Sequence, residues 1–157
     1  MPYPVLQNRA DILRMLDELA EYRQKILAAC AKLTPAQLAD PVIPGTWSLL
    51  KNLQHLAWAE DYMLQWIKKR PAAFPREQWP SEPPGDLDAI RTAFDEAHAS
   101  VIAFLKSNSD AVLTEPCKYG RDARQETVGG VFFHLVEHEI HHRAFILYKL
   151  RSLQGAG

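Results

Sequence analysis

From Thr127 to Arg151 the chain carries a helical pattern whose core-facing stripe contains histidine. With His138 set at zero on a wheel of about 100° per residue, Val131, Leu135 and Phe145 fall at about 20°, 60° and −20°, and His142 at about 40°. Any fold of this chain must therefore bury two imidazoles in the middle of an apolar seam. A second stripe, Phe133, Val136, Ile140, Ala144 and Leu147, lies roughly opposite, so the helix needs cover on both sides. In a four-helix protein the same surface of a second subunit gives the simplest cover, and a twofold homodimer is expected. A buried central position in the bundle is the competing account.

The rest of the chain supplies helices to pack against. Between Leu6 and Leu33, apolar Ile12, Leu16, Leu19, Ile26 and Cys30 recur at three- and four-residue steps. Thr34-Pro35 joins an N-cap residue to a first-turn proline, so Pro35 to Leu38 forms one short turn, ended by Pro41 and Pro44-Gly45. Ser48, or Thr46 before it, caps a second main helix running to about Lys69, with Leu49, Leu53, Leu56, Met63 and Ile67 on one stripe. Pro71 stops it. The proline-rich segment to Asp86, with Phe74 and Trp79, reads as a long loop folded back over something. A third helix from Asp86 to Ser107 carries Leu87, Ile90, Phe94, Ala97, Val101 and Phe104, and a second long loop runs from Ser107 to Glu126. No segment shows sustained period-two alternation and no repeat is visible. The expectation is an all-α four-helix bundle in a single domain, residues 1–157, with long loops between helices two and three and between three and four and no sheet.

Composition narrows the partners. The 157 residues are 47% apolar and 24% charged, with a formal net charge of −1 and no Lys/Arg block. The electrostatic footprint of a nucleic-acid binder is absent. No apolar run approaches membrane length and the N-terminus lacks signal-peptide blocks, which makes the cytoplasm the default location. Cys30 and Cys117 have no CxxC spacing and read as two free thiols.

Chemistry concentrates on the histidines. His138 and His142, four apart, lie on one helix face and reach a common ion at about 2.0 to 2.1 Å from each nitrogen. His134 is a rise of about 12 Å from His142, too far to share that ion, and is a neighbour of the site. His141 points toward the boundary and is the weaker alternative partner for His138. A third ligand must come from another helix, and His55 on helix two is the best candidate, on a mixed face with Asn52, Ala59, Tyr62 and Trp66. Three histidines leave positions for water or substrate, as catalytic metal sites do. Each motif also has a plainer account: a lone HxxxH occurs by chance, and His98 beside the third helix's seam reads as a hydrogen-bonded boundary residue. His138-Glu139-Ile140-His141-His142 also matches HExxH, but no downstream third ligand or sheet follows it, and Glu139 has an i,i+4 partner in Arg143.

Two stretches carry a family resemblance. Trp47-Ser48 followed by six residues and His55-Leu56 resembles the W-S-x(6)-H-L element of the DinB/YfiT family. His138-Glu139-Ile140-His141-His142-Arg143 resembles its H-x-x-H-H-R element, and Leu150-Arg151 also suits it. The family usually continues with Gly-Gln where this chain has Ala144 and Phe145. The resemblance implies a four-helix bundle in which His55, His138 and His142 ligate a divalent metal, zinc or nickel first and manganese or iron next. It also implies a small-molecule substrate and a low-molecular-weight thiol cosubstrate, transferred to an electrophile. Tyr62, Trp66, His134 and the Pro/Trp loop are the expected pocket walls. A non-catalytic metal-binding bundle and a metal-dependent hydrolase are the alternatives.

Overall fold

A computed structural model describes residues 3, 6–71, 85–120 and 122–154. Four long helices dominate: α1 (Arg9–Cys30), α3 (Leu49–Lys69), α4 (Leu87–Ser107) and α5 (Val128–Gln154). Between α1 and α3 lies the short α2 (Pro35–Ala39). Local chemistry sets each start. Asn8, Ser48 and Asp86 each accept a hydrogen bond from a first-turn amide, and Thr34 and Gln37 form a reciprocal capping box on α2. The Thr127 hydroxyl accepts from the Gly130 amide at 3.0 Å at the head of α5. Arg70 ends α3 in the left-handed region, with φ of 44°, just before Pro71.

α3 packs against α4 and α5, and α1 packs against α5 and α4. Consecutive long helices α1 and α3 thus stand diagonally across the bundle, and the chain crosses its end through α2. The core divides into two groups. One joins Ile12, Leu16 and Leu19 to Met63, Trp66, Val101, Val131 and Phe132. The other joins Ile26, Leu27 and Cys30 to Leu49, Leu53, Phe94 and Ile146.

The expectation of no sheet is corrected. Pro116–Tyr119 (β1) and Arg124–Thr127 (β2) form an antiparallel hairpin that pairs Cys117 with Glu126 and Tyr119 with Arg124. Four-residue strands are too short to show alternation, although β1 does alternate exposed and buried residues. Ahead of the hairpin, Asp110–Thr114 forms a 3-10 turn. Cys30 and Cys117 are free and buried, and burial pushes each thiol up to about 11.

Gly129, in the first turn of α5, is fixed by close approach. A Cβ there would sit 2.3 Å from the Leu6 carbonyl oxygen and 3.0 Å from that of Leu113. Farther along α5 the second apolar stripe emerges into solvent, with Ile140 46% and Leu147 36% exposed. That exposure excludes a central position in this bundle for the stripe. No described helix is long and apolar enough to cross a membrane.

Candidate metal centre

The N-terminal half of α3 and the middle of α5 face each other, and three histidines meet there. One ligand atom each from His55, His138 and His142 lie within 4.8 Å of one another. His55 Nε2 stands 3.1 Å from His138 Nε2. Tetrahedral bonds of about 2.0 to 2.1 Å put neighbouring donor nitrogens roughly 3.3 Å apart, so the His55–His138 pair has close to the separation such a metal needs, with His142 within 4.8 Å.

A buried amide sets the orientation of His142. Asn52, 4% exposed, donates through Nδ2 to the Ser48 carbonyl at 2.8 Å, which turns its Oδ1 toward His142 Nδ1 at 3.1 Å. The imidazole then donates from Nδ1 and keeps its Nε2 lone pair for an ion, the outer-shell arrangement typical of ligating histidines. Burial, then the neighbouring histidines, lower His138 to about 3. The same causes bring His142 to about 4. Both are therefore neutral near pH 7, as ligation requires. Trp47 closes the outer side, stacked at 5.9 Å on the His142 ring and edge-on to His55 at 5.0 Å.

Two cavities flank the triad. The first, about 280 Å³, is lined by His55, Trp58, Tyr62, Tyr119, His134 and His138 among others. Trp58 stacks on Tyr62 at 4.3 Å, giving this cavity an aromatic wall. The second, about 320 Å³, opens between Thr46, Trp47, Asn52, His142, Phe145 and Lys149.

Tyr62 and His134 occupy the walls where they were expected. His134 stacks on Tyr3 at 4.6 Å, and its pKa is lowered by burial, with Glu137 opposing. Trp66 does not reach the cavity. It is fully buried, edge-on to Tyr62 and Tyr119, because a residue eleven positions beyond His55 on α3 has passed into the core. The Pro/Trp loop expected as a further wall falls mostly on residues 72–84, outside the described residues. His141 is exposed against Phe145.

Glu139 departs furthest from expectation. It is 5% exposed and accepts from Arg23 Nε at 2.7 Å, with a second bond from Nη2, while Arg143 lies over the Tyr22 ring. Arg23 Nη1 also meets Glu60 Oε2 at 2.5 Å, so one guanidinium from α1 bridges the two helices that carry the histidines. Burial alone would lower the Arg23 pKa, and Glu60 and Glu139 more than reverse it. His98 faces Glu60 Oε1 at 3.4 Å, a boundary histidine beside a carboxylate. Trp58, Tyr119, Lys149 and Arg23 were not singled out in the sequence. Trp58 alone left a local signal, one turn beyond His55.

Comparison with known proteins agrees with this architecture. The chain is similar to a DinB-like protein from Bacillus cereus, with 21% identity, 94% of each chain covered and a TM-score of 0.73. It is also similar to YfiT from Bacillus subtilis, described as a probable metal-dependent hydrolase with an unusual four-helix bundle topology. There identity is 17%, coverage 98% of this chain and 94% of the other, and the TM-score 0.73. A third likeness is to TT2238, a four-helix bundle protein, with 20% identity, 94% and 99% coverage and a TM-score of 0.60. No curated protein sequence matches. The DinB superfamily pattern matches residues 18–146, a span holding α3, the hairpin and all three converging histidines, and the chain belongs to that superfamily.

Proposed function

We propose that this protein is a divalent-metal-dependent enzyme with His55, His138 and His142 as ligands. The observation that carries the proposal is the convergence of three imidazole nitrogens within 4.8 Å, one of them oriented by buried Asn52. No carboxylate belongs to this set, and neutral imidazoles suit zinc or nickel better than magnesium or calcium. A bound ion would supply Lewis acidity, lowering the pKa of a thiol or water so that a nucleophile forms near neutral pH.

The chain's own residues do the rest. His138 and His142 stay neutral and present lone pairs, and Asn52 prevents His142 from turning. Trp47 shields one side of the centre, while Trp58, Tyr62 and Tyr119 offer an apolar surface to a small electrophile. Thiol transfer is the preferred reaction, on the resemblance to DinB/YfiT proteins that use low-molecular-weight thiols. Hydrolysis is the second reading, favoured by the description of YfiT. The exposed stripe around Ile140 and Leu147 keeps a twofold homodimer in the proposal, to be checked by sedimentation velocity.

Metal analysis and zinc titration of protein purified without a histidine tag test the centre. One ion per chain is expected, and equal affinity in His55→Ala would remove the three-ligand assignment. Chelator-sensitive consumption of a thiol with a small electrophile supports transfer. Chelator-sensitive ester cleavage without thiol supports hydrolysis instead. Neither activity in metal-loaded protein would favour a structural or sensor bundle.

A further inference from the structure

Among the described residues Lys149 is the second buried cation, 1% exposed, and its surroundings differ from those of Arg23. Its ammonium donates to the Thr46 hydroxyl at 2.8 Å and to the Pro41 carbonyl, both neutral acceptors. Among the described residues no carboxylate lies within ion-pair distance of it. Asp40 supplies the one opposing field, but it is exposed and accepts from the Val42 amide at 2.7 Å. Burial lowers the Lys149 pKa. An ammonium has three donors, and two are used here. A buried cation without a counter-ion is costly, and such a group is retained where something else supplies the charge.

The cavity beside it shows what that can be. Lys149 lines the 320 Å³ space together with His142, Asn52 and Thr46, a volume within the range of small-molecule sites. Seven residues separate His142 from Lys149 on α5, which places them on one face about 10 Å apart along the axis. A long helical side chain leans toward the N-terminus, here toward the histidines. We propose that this cavity takes the carboxylate of a small thiol or hydroxyl compound, with the Lys149 ammonium as counter-ion and the compound's other end directed at the histidine triad. The placement of that other end rests on the metal reading, whereas the anion subsite does not. The subsite selects an anionic nucleophile on one side of the triad and leaves the aromatic cavity on the other for an uncharged electrophile.

Mercaptoacetate and 2-mercaptoethanol, thiols of similar size that differ by one charge, are the probes for zinc-loaded protein, and acetate is the probe for metal-free protein. Calorimetric titration at pH 7.5 should show mercaptoacetate binding about ten-fold more tightly than 2-mercaptoethanol. Lys149→Met should remove that preference while zinc and 2-mercaptoethanol affinities hold, and Lys149→Arg should keep most of it. Metal-free protein should bind acetate saturably, more weakly as salt rises. A preference that survives in Lys149→Met means the carboxylate chelates the metal, and it overturns the proposal. Equal affinity of wild type for the two thiols does the same. If Lys149→Met does not fold, the acetate titration decides, and absence of saturable binding overturns the subsite. Failure to bind zinc would instead strike the metal reading, leaving the acetate result to stand by itself.

Discussion

Two polar clusters lie between α3 and α5, and they are built on opposite plans. In one, Arg23 answers Glu60 and Glu139, so a single buried cation holds two buried carboxylates within hydrogen-bonding distance. In the other, His55, His138 and His142 bring three donor atoms of one kind within 4.8 Å of one another. Glu60 lies five residues after His55 and Glu139 directly follows His138, so neighbouring positions on the same helices serve both clusters. A polar cluster closed on itself holds helices in register. One made of like groups costs stability unless something outside the chain completes it. On the proposed reading, the histidines are the working site and the ion triad is its scaffold.

The largest effect should follow from opening the closed cluster. Arg23→Met leaves two buried carboxylates facing each other, and its cost should be about 3–5 kcal/mol in urea unfolding. A loss below about 1 kcal/mol would mean that the triad is not the scaffold. The open cluster should respond in the reverse way. His138→Ala should lower zinc affinity by more than the roughly 10–100-fold typical of an outer-shell change, with little change in the melting temperature of metal-free protein. Asn52→Ala should fall in that 10–100-fold range, because it frees His142 to turn without removing a ligand.

Acid sharpens the comparison with a smaller signal. His138 and His142 titrate at about 3 and about 4 in the fold, against about 6.5 in the unfolded chain. Their folded pKa values are depressed, so the unfolded state binds more protons as pH falls below 6.5. The stability of metal-free protein is thus fully present above that value and declines toward pH 4. Melting temperatures of metal-free wild type and His138→Gln, similar at neutral pH, should separate over this window with wild type falling further, since the variant lacks one of the two groups. Parallel curves would show that the imidazoles are not held neutral by burial.

The four long helices and the triad were legible in the sequence because both depend on local spacing. Ser48, Asp86 and Thr127 mark helix starts by their chemistry, and the four-residue step from His138 to His142 places two imidazoles on one face. His55 was legible as the lone histidine of α3, although its meeting with α5 depends on packing. Glu139 was not legible, because its partner is 116 positions away and an adequate one, Arg143, stood four residues off. Lys149 likewise gains its surroundings from a loop more than a hundred residues earlier. The hairpin escaped notice because one buried cysteine and one buried tyrosine cannot display a period.

That hairpin divides responsibility for the aromatic cavity. Trp58 and Tyr62 belong to α3 and share its rigidity with His55, whereas Tyr119 arrives on a short insert joined to α5 through the Val128 amide and the Glu115 carbonyl. The insert contributes none of the three converging histidines. On the proposed reading, exchanging Tyr119 would reshape one wall of that cavity while the three histidines stay on α3 and α5, which makes the hairpin the part of the protein where the choice of acceptor can change.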